Sequence, residues 1–597
     1  MLSTSTVADG GQVDMDFDVV VLGTGLSESI VAAALSKAGY KVAHLDTNQY
    51  YGGDEASLTL DELAEWADAR AHPGDGPSSS DYLANQRARY TSLSRSPTIP
   101  PQSRQYSVSL APSIVPSIGP HIESLIASGV SRYGQFKLLE KVAVYDRPGY
   151  VQSVPGGKED VFKSKALSLV DKRRLMRFLM FAAGDFEGKK ELEGKEQMPF
   201  VQYLRDVFSL KDQAASAIAY ALAFCASAEE PTLPAMQRIR QYLRSAGRYG
   251  TSPFLVGHYG GLGETAQGFC RTSAVKGGTY ILGRRVVSVE SSPDDPPEDE
   301  KASFASRPAS ARYSVKLEDF DEQLIAKVLV SSPDYVPYSL GGTVPANSGP
   351  SQQPTHAVAR CIAIIDKPLV FTPSEDDTSS ADVDGPTEGA EDDLSEKPQP
   401  PKYDVDTALL VFPPGSLPNG STMAAHVLVT GDGSMSAPTG RYIVNISLPL
   451  SSESMSSSSA EDLLRPYLEA TLSLTVPPSS PPDTNPATPL FSLFYIHHVL
   501  MRASPSSSKN SSSIIITPPC RPHLPLIADQ ATEHAETMFW KAVEQLKAAG
   551  VQRTVPTEDV EKGDGEVEKA EPEEVSQDID SFWPPLDALE DETSDEW

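Results

Sequence analysis

The sequence DVVVLGTGLSESIVAAALSKAG, residues 18–39, decides the fold of this chain. The three valines and the leucine after Asp18 predict a short buried strand, and Gly23 and Gly25 then open a tight turn. Gly39 stands where a helix should end, after apolar residues that recur at helical spacing, namely Leu26, Ile30, Ala33 and Ala34. A strand, a glycine-rich turn and a helix in this order predict the start of a Rossmann-type α/β domain.

Glu28 occupies the third glycine position of the dinucleotide fingerprint G-x-G-x-x-G. The third glycine normally allows close packing of helix on strand, and the first helical turn normally attracts a phosphate. A carboxylate at this position fills the space and repels an anion. A second predicted strand, residues 41–45, still ends in Asp46, where this fold places the acid that binds a ribose hydroxyl. The sequence therefore predicts the fold but no bound cofactor.

The composition removes much of the chain from any core. The formal net charge is −31 over 597 residues, and 17 Asp and Glu against 2 Lys lie in residues 557–597. This acidity argues against nucleic-acid binding. Five insertions rich in Pro, Ser, Asp and Glu are expected to be disordered; they lie near residues 291–310, 373–402, 451–460, 477–489 and 504–513. The tail, 553–597, is expected to be disordered as well, although its apolar island FWPPL, residues 582–586, either docks on a surface or is a chance cluster.

No pattern in the chain indicates catalysis or metal binding. The four cysteines form no C-x-x-C pair, and no Cys or His group has metal-ligand spacing. No run of about 18 apolar residues and no signal peptide is apparent. We therefore expect a cytoplasmic protein with reduced thiols, without catalytic residues and without a metal.

Two predicted helical segments are unusually apolar. Residues 175–181 read LMRFLMF, and residues 212–227 read DQAASAIAYALAFCAS. A helix that is apolar nearly all round must be covered on several sides. Either the segments form a close-packed core, or they cover a lipid or a partner protein.

Five segments in order resemble the GDI/Rab escort protein family. They are GTGLSES after a strand, HLDTNQYYGGDEAS from residue 44, SGVSRYGQFK from residue 128, the helix at 165–181, and YGGLGETAQGFCR…GGTYIL from residue 259. The resemblance covers about half of the chain. It implies a flavoprotein-like α/β domain that no longer uses flavin, in two parts at 14–113 and 231–552, with a smaller all-helical domain at 114–230.

The resemblance also implies binding sites. Members of this family hold GDP-bound Rab GTPases on a platform, whose residues map to Tyr51, Glu264, Arg271 and Tyr280. Their helical domain shelters geranylgeranyl groups, which would place Leu175, Leu179, Ile218 and Leu222 in the lipid-sheltering helices. An escort protein docks on the transferase with a phenylalanine, here Phe181 or, in the alternative register, Phe178.

Within the family, the length of the chain, its turn YYGGDEASLTLDEL and the LMRFLMF segment favour an escort protein. Such a protein binds newly made GDP-bound Rab, presents it to the Rab geranylgeranyl transferase heterodimer and delivers the prenylated product to membranes by transient contact. The alternative is a GDP-dissociation inhibitor that recycles prenylated Rab. A flavin-dependent oxidoreductase is the remote alternative, and it predicts a yellow protein.

Overall fold

The structure is a computed structural model, and it describes residues 14–71, 81–154, 168–293, 311–337, 340, 356–373, 404–418, 420–451, 458–499, 513–555, 560–561, 567–568, 573–575 and 578–583. The helices in these ranges are α1 (Leu26–Lys37), α2 (Leu60–Ala71), α3 (Asp81–Arg89), α4 (Pro120–Ser128), α5 (Leu169–Ala183), α6 (Phe200–Phe208), α7 (Asp212–Ser216, continued by a π-helical turn at Ala217–Leu222), α8 (Thr232–Ser245), α9 (Leu262–Val275), α10 (Ala460–Ser473) and α11 (Ile527–Ala548).

The strands follow in chain order: β1 (Asp14–Leu22), β2 (Val42–Asp46), β3 (Ser57–Leu58), β4 (Tyr90–Arg95), β5 (Val108–Ser109), β6 (Val115–Pro116), β7 (Phe136–Leu138), β8 (Lys141–Arg147), β9 (Tyr150–Ser153), β10 (Phe254–Gly257), β11 (Thr279–Leu282), β12 (Val286–Pro293), β13 (Ala311–Leu317), β14 (Gln323–Ser331), β15 (His356–Ile365), β16 (Leu369–Val370), β17 (Asp404–Val405), β18 (Ala408–Phe412), β19 (Ala425–Thr430), β20 (Tyr442–Leu450), β21 (Phe491–Val499), β22 (Ile514–Ile516), β23 (Arg553–Val555), β24 (Val560–Glu561), β25 (Val567–Glu568) and β26 (Glu573–Val575).

A mixed sheet built around β1 confirms the predicted Rossmann-type unit. Its strand order is β11-β2-β1-β14-β13-β12, with β22 beside β14, and β1 runs parallel to both β2 and β14. Val19 and Val21 face the helices α1, α9 and α11, whereas Val20 and Leu22 face the opposite side, and all four are fully buried. Both faces of β1 are therefore covered, which explains why the strand reads as a continuous apolar run rather than an alternating one.

An eight-stranded sheet forms the second layer of the large domain. Its order is β4-β21-β15-β20-β19-β18-β8-β9, and α10 packs against it. Ser459 begins α10 by accepting a hydrogen bond from the Asp462 amide, a serine N-cap of the usual kind.

The helical region differs in extent from the predicted 114–230. Residues 136–153 form β7, β8 and β9, of which β8 pairs with β18 in the eight-stranded sheet. Val142 and Val144 contact one core while Ala143 and Tyr145 contact another, so this segment has the two-residue period of a strand. The helices α5, α6, α7 and α8 share one core with residues of β8, β10, β18 and β19, and the helical part of this core continues past residue 230 to Tyr242.

Two segments that were predicted to be disordered contain described residues that lie against the folded body. In 477–489, Ala487 is buried and donates its amide to Thr475 Oγ1 at 2.8 Å, which anchors the loop. In the tail, β23 pairs with β26, and Phe582 and Trp583 pack on the helices beneath them. Most of the other insertions lie outside the described residues, although the ends of two belong to β12 and α10.

Helix α9 forms although it contains two glycines, Gly263 and Gly268. A Cβ on Gly268 would lie 2.9 Å from Val130, and one on Gly263 would clash with the backbone before Ser57. These glycines therefore allow close packing of the helix, which outweighs their poor helix propensity.

The described residues give no indication of a membrane span or a metal site. Of the helices in the described ranges, none has the length and apolarity that a membrane crossing needs. Among the same residues, no cluster of three or more His, Cys, Asp and Glu side chains is arranged to hold a metal ion.

Candidate functional site

The turn between β1 and α1 has the backbone of a phosphate-binding loop but carries carboxylates where the phosphate would bind. Gly23 has a φ of +96°, and Gly25 precedes the first residue of α1. A Cβ built on Gly25 would lie 2.5 Å from Glu28 Oε2 and 3.3 Å from Glu55 Oε2. Glu55 also accepts a hydrogen bond from the Leu26 amide at 3.2 Å, at the N-terminus of α1. The protein's own carboxyl groups thus occupy the place at the helix N-terminus where a phosphate would bind.

Burial changes the protonation of both glutamates. It raises the pKa of Glu28 to about 7, and the nearby Asp54 and Asp46 act in the same direction. The pKa of Glu55 rises to about 8 because of burial and because of the charges of Asp54 and Glu28. A pyrophosphate would add further negative charge at this place, so the residues do not fit a dinucleotide.

Asp46 is also unavailable to a ligand, because donors of the protein already occupy its oxygens. It is completely buried and accepts hydrogen bonds from the Thr24 amide at 2.8 Å, from the Thr24 hydroxyl at 2.6 Å and from the Tyr335 hydroxyl at 2.7 Å. The Asn48 amide donates at 2.8 Å to Oδ1, the oxygen that also accepts from Tyr335, whereas both Thr24 donors go to Oδ2. A carboxylate with all these donors supplied by the protein is not available to a ribose hydroxyl.

The cavity that remains beside this turn is small. Its volume is about 130 Å³, and it lies between Gly25, Glu28, Glu55, Pro518 and Cys520. Pockets that hold cofactors or drug-sized ligands are usually roughly 300–1,000 Å³. The four positions of the degenerate fingerprint, Gly23, Gly25, Glu28 and Asp46, therefore maintain the fold of the turn.

We expect Glu28 to make the free energy of unfolding depend on pH between the ordinary pKa of a glutamate, 4.5, and its raised value of about 7. Because the folded protein holds a proton on this carboxyl that the unfolded chain has released, stability is greatest below pH 4.5 for this group and falls as the pH rises to about 7. The slope approaches about 1.4 kcal/mol per pH unit for one full proton. Urea unfolding between pH 5 and pH 8 should therefore show a steeper loss of stability in the parent protein than in Glu28→Gln. Equal slopes in the two proteins would contradict the raised pKa.

A second site is formed where the turn YYGG, residues 50–53, which contains Tyr51, meets α9. A Cβ on Gly52 would lie 3.1 Å from the Cα of Gly263, so the turn packs directly against the first residues of α9, next to Glu264. Gly52 has a φ of +102°, which a residue with a side chain rarely adopts. Two segments more than 200 residues apart in the chain are thus joined by contact between glycines.

Tyr280 completes this group from the neighbouring strand. It lies on β11 opposite His44 on β2, and its hydroxyl is 3.1 Å from His44 Nδ1. The rings of Tyr51 and Tyr280 meet edge to face with their centroids 6.3 Å apart. Burial raises the pKa of Tyr280 well above its usual value, so this phenol stays neutral and fixed in position.

Arg271 and Glu264 lie seven residues apart on α9, and they do not form an ion pair with each other. Seven residues place them on the same side of the helix but about 10 Å apart along it. Arg271 is exposed, and its guanidinium carbon lies 4.4 Å above the ring of Tyr133. Glu264 is half-buried, and this burial raises its pKa. We call Tyr51, Glu264, Arg271 and Tyr280 the platform residues: Tyr51 contacts Tyr280, the turn after Tyr51 packs beside Glu264, and Arg271 lies on the same helix as Glu264.

Tyr133 is a member of this surface that sequence reasoning did not assign. Half of its side chain is exposed, and it supports Arg271 from the segment after α4. An exposed aromatic side chain beneath an arginine is typical of binding surfaces. The motif SGVSRYGQFK contains it, but only the tertiary structure brings it to α9.

The two phenylalanines proposed for docking differ sharply in exposure. Phe178 is fully buried, with its ring against Phe200 and Phe208 at centroid distances of 6.3 Å and 5.2 Å. Phe181 is only partly buried at the edge of the same core, 5.4 Å from Phe208. The neighbouring Met180 is 64% exposed. Of the two, only Phe181 is accessible to a partner.

The four residues assigned to lipid-sheltering helices lie in one hydrophobic core. Leu175 and Leu179 of α5 and Ile218 and Leu222 of the π-helical turn after α7 are all buried there. The structure thus brings the two over-apolar segments together.

Comparisons with known proteins agree with this geometry. Residues 13–388, more than half of the chain, match the family described as GDP dissociation inhibitor. A Drosophila melanogaster protein named Rab proteins geranylgeranyltransferase component A is 34% identical over 348 residues, which are 54% of this chain and 61% of that protein. Rab GDP dissociation inhibitor beta of Rattus norvegicus is 33% identical over 282 residues, covering 46% of this chain and 57% of that protein.

The chain therefore spans less than two thirds of the length of these curated relatives. Among solved structures, a Rab GDI from Plasmodium falciparum superimposes with a TM-score of 0.58 at 19% sequence identity, covering 89% of this chain and 98% of that one. This likeness confirms the predicted fold class, an α/β domain with a smaller helical part.

Proposed function

This chain belongs to the GDP dissociation inhibitor family, and we propose that it is an escort protein that binds GDP-bound Rab GTPases for geranylgeranylation. The observation that carries the proposal is the connected surface of platform residues, with the exposed Arg271 supported on Tyr133. The relative from Drosophila melanogaster named as component A of the Rab geranylgeranyltransferase supports the escort assignment.

The platform residues have the composition of a protein-binding surface rather than of an active site. Tyrosine and arginine are the residue types that dominate binding energy at interfaces. Here both types stand on rigid elements, because Tyr280 lies on a sheet strand and Arg271 on a helix packed through its glycines. A rigid surface loses little conformational entropy on binding. We therefore assign Rab binding to this surface and no catalytic step to this chain.

The outer face of α5 is the surface that we assign to the transferase heterodimer. Leu169, Val170 and Met180 are more than half exposed there, and Phe181 is partly exposed beside them. Apolar groups concentrated on one short helix are typical of an interaction site. Phe178 is excluded from this role because its ring has no access to solvent.

We assign the sheltering of a geranylgeranyl group to the core between α5 and α7. The walls of this core are Leu175, Leu179, Ile218 and Leu222, and each methylene group moved from water into it would contribute about 0.8 kcal/mol. Because these side chains are packed against one another, the helices must separate to admit a lipid. The π-helical turn at Ala217–Leu222 is the natural place for that adjustment, since such turns interrupt regular helix geometry.

This function requires a cytoplasmic protein that contacts membranes transiently, and we propose that location. The alternative, a GDP-dissociation inhibitor that recycles prenylated Rab, is supported by the rat relative at 33% identity. The two functions share the Rab-binding surface and differ in whether the chain supports prenyl transfer.

We expect prenyl transfer to a Rab by a purified transferase heterodimer to depend strictly on this protein. The measurement is incorporation of labelled geranylgeranyl into Rab with and without the chain, and the matched control omits the transferase. Rab binding without support of transfer, together with extraction of prenylated Rab from membranes, would favour the inhibitor. Absence of any binding to GDP-bound Rab would contradict both functions.

A further inference from the structure

The chain after α11 returns across the helices as a strap. We define the C-terminal strap as the described residues 551–555, 573–575 and 578–583. Near its start, Arg553 donates from Nε to the carbonyl of Ala38 at 2.7 Å, and the Thr554 amide donates to the carbonyl of Gly39 at 2.9 Å. After the pairing of β23 with β26, the strap continues to Asp578, whose carboxylate lies 3.8 Å from Lys547.

The strap ends in an aromatic pair that lies between α4, α9 and α11. The Phe582 ring meets Phe539 of α11 at a centroid distance of 5.2 Å. The Trp583 ring stacks on Phe269 of α9 at 5.8 Å, and its Nε1 donates to Ser124 Oγ of α4 at 2.8 Å. One side chain from each of the three helices thus contacts the pair.

We propose that this groove is a peptide-binding site for a Phe-Trp segment, and that the C-terminal strap is its resident but displaceable ligand. The proposal is independent of the Rab-binding function, because it concerns the flank of α9 formed by Phe269 rather than the side that carries Glu264 and Arg271. The two sides of α9 follow from the helical period of 3.6 residues.

The identity of the occupant follows from the chemistry of the groove. Phe269 and Phe539 are fully buried beneath the pair, so the floor is apolar and aromatic. The Ser124 hydroxyl supplies one acceptor, which matches the single donor of an indole. Lys547 of α11 lies along the path, where it faces an acidic segment, since its ammonium group is 3.8 Å from the Asp578 carboxylate. A Phe-Trp pair preceded by acidic residues fits all three features.

The same contacts indicate that the strap can be released. Both aromatic side chains are only partly buried, and one hydrogen bond to a side chain holds the indole. The ion pair with Lys547 involves an Asp578 side chain that is 89% exposed, so water and salt weaken it. Docking of the aromatic pair therefore depends mainly on the covalent connection of the strap to α11, which keeps the pair at a high effective concentration beside the groove.

A labelled peptide with the sequence SQDIDSFWPPL, residues 576–586, tests the proposal by fluorescence anisotropy. The full chain should bind it weakly because the strap competes from within the same molecule. Phe582→Ala/Trp583→Ala should bind it at least ten-fold more tightly, because the groove is then free. A peptide with both aromatic residues replaced by alanine should not bind, and Trp597→Ala, which changes another tryptophan of the same tail, should behave like the parent.

Adding Ser124→Arg to the double variant should abolish peptide binding, since a long side chain then fills the groove; circular dichroism verifies that this variant is folded. Peptide affinity that is equal in the parent and the double variant would overturn the proposal. The proposal would also be overturned if light scattering showed the parent to be a dimer and the double variant a monomer, because the strap would then bind a second copy.

Hydrogen exchange in residues 578–583 gives an independent readout, and it should accelerate in the double variant.

Discussion

Phe178→Ala should lower the free energy of unfolding by about 3–5 kcal/mol, whereas Phe181→Ala, three residues further on, should lower it by less than about 2 kcal/mol. The difference arises because Phe178 is enclosed by Phe200 and Phe208, so its removal leaves a cavity. Phe181 lies at the edge of this core, where water can fill the space that the ring leaves. Urea unfolding of the three proteins measures both values.

The effects of the two substitutions on function should be the reverse of their effects on stability. We expect Phe181→Ala to impair prenyl transfer while Rab affinity stays unchanged, because the side chain lies on the face that we assign to the transferase. Phe178→Ala serves as the matched control, since any defect that it shows should appear in both assays and follow the fraction of unfolded protein. If Phe181→Ala supports normal transfer, the transferase does not dock on this residue.

Arg271→Ala should weaken binding of GDP-bound Rab by about 1–3 kcal/mol, which is roughly 5–150-fold in Kd. The guanidinium carbon lies 4.4 Å from the centre of the Tyr133 ring, and the side chain of Arg271 is exposed. Because Arg271 is exposed, the substitution should change the free energy of unfolding by no more than about 0.5 kcal/mol. Isothermal titration calorimetry with a GDP-loaded Rab measures the effect.

Two further variants make this test specific. Arg271→Lys should recover only part of the affinity, because a lysine keeps the charge but lacks the planar group that stacks on an aromatic ring. Arg248→Ala is the matched control, since this arginine also lies above a tyrosine ring, that of Tyr249, but on the loop after α8. An affinity that is the same in Arg271→Ala and in the parent would remove Arg271 from the binding surface.

The sequence alone determined the Rossmann-type unit and the place of Glu28 at its third glycine position. Both depend on residues that are close together in the chain: the run before Gly23, the two glycines and Glu28. Local patterns of this kind are reliable because neighbouring side chains set the backbone and the charge at the helix N-terminus themselves. The ordered motifs likewise determined the family, although each of them is weak by itself.

The tertiary structure decided what depends on contacts between distant segments. Phe178 is fully buried and Phe181 only partly, although both belong to the same apolar run. Close packing makes α9 a helix despite Gly263 and Gly268, and the same packing brings Glu264 to the Tyr51 turn. The aromatic pair of the tail docks because α4, α9 and α11 together form a groove that none of them forms alone. Propensity and spacing report on a few neighbouring residues, whereas burial and the identity of a contact are properties of the whole packed chain.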